Sequence, residues 1–423
     1  MHSQENPVKA TRQAGEVLLR HFAEKMGADY ERQRNFDYGP GEHHYVSQLS
    51  PYIRRRLVLE SEVIQAALEC HGLGASEKFI QEIFWRTYFK GWLELRPMVW
   101  RQYCRGLAED LFELETNPTY RARVEAAEEG RTGLTYFDAW VKELVQTGYL
   151  HNHARMWFAS IWIFTLGLPW RVGADFFYRH LLDGDAASNT LSWRWVAGLH
   201  TRGKAYAAES WNIEKYTGGR FHPTSNELKS EIEPLNYTEP GGLPQVQTLR
   251  DPIAPNIALP SILLLTDEDC RVEDFDLTSF TWKATVSLAC SKCRSPHKVS
   301  DRIIKFEREA LADTAQRNDL MPIYYEADLK NDAIDALVDF ILRSGVKQVV
   351  TPYLTQGPTL DLIETKRGML EENGIYLCEL RRDWDTQIWP HASDGFFKVK
   401  QKIPNFLRQI LGSDDAYIGA VSP

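Results

Sequence analysis

Cysteine is scarce in this chain. Six in 423 residues are too few for a disulfide framework at this length, so the default is reduced thiols in a cytosol and a cytoplasmic protein is expected. No run of 18 apolar residues occurs. The longest greasy stretch, Trp157 to Trp170, is too short to cross a bilayer, and the opening MHSQENPVKATRQAG has no apolar signal core; no membrane partner is expected. Positive charge is in deficit: 49 Lys and Arg stand against 58 Asp and Glu, for a formal net charge of −9. That excludes a chain holding nucleic acid by bulk charge, but it leaves room for a local basic face. No internal repeat, low-complexity tract, GxGxxG or P-loop is visible. The lone Cys290-x2-Cys293, with His297 downstream, lacks the second pair that a zinc site needs, so no metal is expected.

What the chain has in excess is tryptophan, thirteen in all. Trp is bulky and its N–H wants a partner, so this many imply large flat-walled cavities or redox use as well as core. Length, 25% charged and 43% hydrophobic residues fit a two-domain globular protein. Residues 1–235 read as helical. Ala14, Val17, Leu18, Phe22 and Met26 recur near a 3.6 period in 10–26, and 60–70, 76–95, 136–147 and 151–166 behave likewise. Residues 236–258 lose that period, and five prolines fall between 236 and 260, so this stretch reads as a linker. Beyond it, short apolar runs at 262–265, 281–288, 348–352 and 375–379 alternate with helical stretches near 299–315, 331–344 and 358–373. That alternation predicts a smaller α/β domain, 259–423, with a Rossmann-like parallel sheet.

The densest chemistry lies in 147–223. Eight basic residues outnumber five acidic ones there and interleave with Trp157, Trp162, Trp170, Trp193, Trp195 and Trp211. Cations beside aromatics suit stacked bases and clamped phosphates, although the pattern alone equally describes a Trp-rich core.

Four motifs then carry a resemblance. The run DGDAASNTLSWRW (183–195) is similar to the flavin-binding signature of the photolyase/cryptochrome flavoproteins. HNHARM (151–156) resembles the helix before it, QEIFWRTYF (81–89) the cavity-lining helix, and VSQLSPY (46–52) the phosphate-side flavin loop. The resemblance implies an all-helical domain, 1–235, binding flavin adenine dinucleotide (FAD), followed by a domain like the family's antenna domain. Tyr38, Ser47, Leu49, Ser50, Arg155, Asp183, Asp185 and Asn189 would hold the cofactor. Ser47, Leu49 and Ser50 would offer hydroxyl and backbone donors to the diphosphate. Arg155 and Asp183 would pair beside the ring, and Asn189 would face flavin N5.

The same resemblance implies a substrate, UV-damaged DNA, bound by a monomer. Glu82, Trp85, Asn152, Met156 and Trp195 would touch a flipped-out pyrimidine dimer, with Glu82 stabilising its radical anion and the indoles walling the bases. Trp193 and Trp170 would begin an electron-transfer chain whose surface member is open among Trp140, Trp157, Trp100 and Tyr120. The implied activity is light-driven repair of cyclobutane dimers by a photo-lyase. A cryptochrome-like sensor and a (6-4) enzyme, to which His43, His44, His151 or His153 would lend an acid, are the rivals. The domain order is the reverse of the family's usual one, which implies a short or rearranged member. No antenna pocket can be matched residue by residue, so a second chromophore is left open.

Overall fold

The computed structural model describes residues 8–239, 241–330 and 332–412. Two compact units share the chain in an interleaved way. One comprises the stretch through Glu24, Ser47–Ala66 and Asp251–Arg382; the other comprises Lys25–Val46, Ala67–Arg250 and the stretch from Asp383. The boundaries therefore differ from a simple division at the linker, although 239–258 is largely without regular structure among the described residues.

The α/β unit has a five-stranded parallel sheet: β1 (Ser261–Leu265), β2 (Trp282–Ala289), β3 (Ile323–Glu326), β4 (Gln348–Pro352) and β5 (Tyr376–Leu380), in the order β3-β2-β1-β4-β5. Helices Asp301–Arg317, Asp332–Arg343 and Pro358–Glu372 connect the later strands. Alternation splits β1 between the two faces. Ile262 and Leu264 pack with Leu337, Val338 and Ile363, while Leu263 and Leu265 pack with Val272 and Leu311. Coverage of both faces explains the unbroken apolar run in β1. β3 is absent from the sequence reading for a physical reason: it is an edge strand with Ile323 and Tyr324 exposed, so it needs no apolar run.

Charge ties Ser47–Ala66 into this unit. Arg55 Nε lies 3.1 Å and Arg294 Nη2 3.4 Å from Asp267 Oδ2. Arg54 reaches the Asp267 carbonyl oxygen and Glu268, and Arg56 reaches Asp269 at 3.3 Å. Burial would raise the Asp267 carboxyl, but the guanidinium groups of Arg54, Arg55 and Arg294 outweigh it and hold it down at about 2.

The helical unit is built round buried indoles: Trp140, Trp157, Trp162 and Trp193 are fully enclosed. Gly173 lets the helix Trp170–Tyr178 approach them. A Cβ there would fall 2.4 Å from the Trp193 ring and 2.8 Å from Trp162 Nε1. The helix Asn152–Ser160 runs into a π-turn, Ile161–Thr165. The stretches 60–70 and 76–95 form one run, Glu60–Glu94, broken at Gly72, where φ is 68°. Pro97–Thr116, Pro118–Glu128 and Trp170–Tyr178 are further helices.

The resemblance of 346–407 to the antenna-type domain divides at Arg382. Helices Asp383–Ile388, Phe396–Lys400 and Ile403–Leu411 join the helical unit. Trp384 Nε1 donates to Thr87 Oγ1 at 3.0 Å, Phe406 packs on Phe84, and Trp389 fills the space beside Gly91. Among the described residues, no helix is long and apolar enough to cross a membrane.

Candidate functional site

The segment 183–195 turns into the helix Ala186–Val196, and Asp185 caps it by accepting from Ser188 N at 2.9 Å. The same carboxylate lies 3.0 Å from Lys90 Nζ and 3.7 Å from Arg86 Nη2. Arg155 is held on two sides: Nη2 donates to Asp183 at 3.0 Å and Nε to the Leu150 carbonyl at 2.8 Å. Asn189 lies inside the helix, one turn past the cap. Its Nδ2 donates to the Ala174 carbonyl at 2.8 Å, so the group it can offer a ligand is its carbonyl oxygen, an acceptor.

These residues suit the polar edge of a flavin. Arg155, Arg86 and Lys90 concentrate cationic donors round Asp183 and Asp185. Arg86 Nε and Ser188 Oγ are buried with no hydrogen-bond partner among the described residues, a costly state unless something else accepts from them. Tyr38 sits at the surface of this unit, stacked on Phe36 at 5.5 Å and donating to Gln33. Ser47, Leu49 and Ser50 lie in the other unit, at the start of the helix Ser50–Arg54. There the Leu49 N–H is turned back on the Ser47 hydroxyl at 3.3 Å, and Gln48 has φ of 51°.

The residues expected on the substrate side all fall in the helical unit. Glu82, Trp85, Met156 and Trp195 are half-buried and Asn152 is exposed. Asn152 and Met156 share one face of the helix Asn152–Ser160, four residues apart. Glu82 forms an ion pair with Arg34. Trp195 stacks on Tyr206 at 5.4 Å. Trp85 carries the Phe396 ring at 3.9 Å and 17° between planes. Sequence reasoning missed Arg34, Lys90 and Phe396. Lys90 follows Arg86 by four residues, a helical spacing that flags a shared face. Phe396 lies over 300 residues from Trp85 in the chain and carries no such signal.

Trp193 and Trp170 are both buried, each with an indole N–H that has no partner among the described residues. Trp170 neighbours Tyr103 at 5.9 Å, and Tyr103 stacks on Trp100 at 5.3 Å. Of the four candidates for the surface member, Trp100 is thus joined to Trp170 through Tyr103. Trp140 and Trp157 stack on each other, and Tyr120 donates to the Gly167 carbonyl.

A second polar cluster also escaped the sequence reading. Ligand atoms of Asp37, His43 and Glu143 lie within 4.8 Å of one another, all buried. His43 Nε2 is 2.8 Å from Glu143 Oε1. Asp37 already accepts from Trp140 Nε1, Arg220 Nη2 and Gly39 N, which accounts for its charge without a metal ion. Burial raises the Glu143 carboxyl despite the His43 hydrogen bond. Burial also drives the neighbouring His151 imidazole down to about 3, so His151 is neutral at physiological pH. His44 is exposed and meets Glu42 at 2.9 Å.

Residues 79–223 match the family model for the FAD binding domain of DNA photolyase. The chain is 34% identical over 190 residues to the deoxyribodipyrimidine photo-lyase of Streptomyces griseus, which covers 45% of this chain and 39% of that protein. It is 29% identical over 189 residues to the enzyme of that name from Escherichia coli, covering 44% and 39%. A solved cryptochrome from Synechocystis matches 49% of this chain and 43% of its own, at 26% identity and a TM-score of 0.40. The chain spans about two fifths of the length of these curated relatives. The shared part contains the Asp183–Trp195 helix start, the Arg155–Asp183 pair and the Glu82–Trp85 face, and its cofactor is FAD. Residues 79–223 are therefore a FAD binding domain of the DNA photolyase type.

Proposed function

We propose that the protein is a light-driven lyase that reverts cyclobutane pyrimidine dimers in DNA, acting as a cytoplasmic monomer. When bound, reduced FAD supplies one electron on absorbing blue or near-UV light and recovers it after the ring opens, so no net redox change occurs. The chain's residues would bind, orient and stabilise. Arg155, Asp183, Asp185 and Asn189 would hold the ring's polar edge, with Tyr38 at the phosphate side. Asn189, offering an oxygen, favours a flavin that carries a proton at the facing nitrogen.

The observation that carries the lesion reading is the Glu82–Arg34 pair beside half-buried Trp85. A splayed dimer needs apolar walls and a polar partner for its carbonyl edge. Trp85 and Trp195 supply the walls. Arg34 supplies a donor that Glu82 orients, which suits negative charge developing on a thymine carbonyl. Trp193 and Trp170 would relay electrons to oxidised flavin, with Tyr103 and Trp100 as the outward continuation.

A light-sensing role is the second reading, and the Phe396 ring already lying on Trp85 favours it. We assign the α/β unit an antenna-like place and leave its chromophore to measurement. The deciding experiment illuminates the FAD-loaded, reduced protein with oligonucleotides holding a cyclobutane dimer, a (6-4) product or no lesion. Restoration of the cyclobutane substrate alone supports the proposal. Restoration of neither lesion supports the sensor.

A further inference from the structure

The stretch Gly395–Gly412 of the helical unit carries charge of one sign only. From Gly395 to Gly412 there are four basic residues, Lys398, Lys400, Lys402 and Arg408, and no acidic one, in a chain of net charge −9. Lys398, Lys402 and Arg408 are exposed, whereas Lys400 lies 3.5 Å from Glu77. Phe397, between the buried Phe396 and Lys398, is 64% exposed, an unusual place for a large apolar ring.

The position of this segment is fixed next to Trp85. Phe396 stacks on that indole. Tyr88 donates its hydroxyl to the Asp394 carbonyl at 2.8 Å, and Arg96 Nη2 donates to the Ser393 carbonyl at 2.7 Å. The apolar side of the following helix is already used: Ile403, Phe406 and Leu407 are buried, with Phe406 against Phe84. What remains outward is Phe397, Lys398, Lys402 and Arg408, with the neutral Gln401, Asn405 and Gln409 beside them. Among the described residues of 391–412 the one carboxylate is Asp394, which is exposed, and Lys400 engages Glu77.

We propose that Phe397, Lys398, Lys402 and Arg408 form a strand-binding surface that takes the phosphate backbone of DNA flanking the lesion, with the Phe397 ring as a stacking platform. The inference rests on Trp85 walling the lesion pocket and adds to it the element that grips the strand outside. Basic side chains interleaved with an exposed aromatic are the chemistry that single or splayed strands require, since phosphates recognise cations and any base can stack. The commitment of the helix's apolar face to Phe84 argues against a lipid surface as the occupant, because interfacial helices bury that face in the bilayer.

The test compares the FAD-loaded parent, a Lys398→Ala/Lys402→Ala double variant and Phe397→Ala. All three changed residues are exposed, so folding is not at stake. Affinity for a labelled duplex with one cyclobutane dimer, and for the undamaged duplex, is measured between about 50 and about 200 mM salt. The double variant is expected to lower the magnitude of the slope of log affinity against log salt by about 2 on both duplexes, since each phosphate contact contributes roughly 0.9. The preference for the dimer should stay as in the parent. Phe397→Ala should weaken binding without changing the slope. A double variant whose slope and affinity equal the parent's overturns the surface. A parent that prefers no dimer while the variant's slope still drops sinks the lesion reading and leaves the surface standing. Loss of binding to phosphatidylserine vesicles with unchanged DNA slopes would assign the patch to membranes and overturn it.

Discussion

At the proposed cofactor end, the residue to examine first is Asp183. It accepts from Arg155 at 3.0 Å and is mostly buried, with 8% of its side chain exposed. Replacing it by Ala removes a charge-assisted hydrogen bond from a half-buried guanidinium, a loss of roughly 1.5–3 kcal/mol. Asp183→Ala should lower the FAD bound per chain, read as flavin absorbance after purification, and should lower the melting temperature modestly. Full flavin content in the variant would show that the pair does not position the ring. Trp193 makes a different prediction. Phe keeps the packing against Phe177 and Phe158 but is far harder to oxidise. Trp193→Phe should therefore slow flavin photoreduction strongly while repair by chemically reduced protein stays near the parent's. Equal photoreduction rates would mean that electrons arrive by another route.

Among the elements, the contact of the helix Trp170–Tyr178 with the indole core is the most constrained. Gly173→Ala would place a methyl 2.4 Å from the Trp193 ring, and the ring is enclosed, so backbone or ring must shift. Overpacking of this kind costs about 1–3 kcal/mol. Urea unfolding should register that loss, whereas an unchanged midpoint would show that the helix can slide.

The elements that sequence periodicity identified were those with an apolar stripe or run. The 136–147 helix, seen as Thr135–Thr147, and β4, seen at its expected bounds, are instances. β3 escaped because an edge strand needs no such run, and the helix Trp170–Tyr178 because its nine residues give fewer than three turns over which a period can be read. The candidate site was legible at the residues that local motifs hold together, such as Arg155 with Asp183. Arg34 and Phe396 were not legible. Each reaches its partner from a distant part of the chain, and contacts of that kind leave no local spacing.

At the largest scale, charge joins the stretch Ser47–Ala66 to the rest of the α/β unit. Arg54, Arg55 and Arg56 face Asp267 and Asp269 within the α/β unit. The Asp267 carboxyl is held at about 2 against an ordinary 3.8. A depressed carboxyl contributes stability that is present above its unfolded value and lost as pH falls through its folded value. The α/β unit should therefore lose about 2 kcal/mol of stability as pH falls from about 4 to about 2. Asp267→Asn should unfold at lower urea at neutral pH and show a flatter acid dependence. An acid profile identical to the parent's would place the pH sensitivity elsewhere.

The most direct measurement is single-turnover repair in light. A defined oligonucleotide with one cyclobutane dimer is bound to reduced, FAD-loaded parent protein and to Glu82→Ala, and dimers reverted per absorbed photon are counted beside a dark control. The account predicts efficient, strictly light-dependent reversion by the parent. It predicts a lower yield in Glu82→Ala with affinity nearly retained, because Glu82 orients Arg34 toward charge that develops only after electron transfer, while strand affinity comes from other cations. A parent complex that binds the dimer and absorbs light but restores no pyrimidines would contradict the repair function itself.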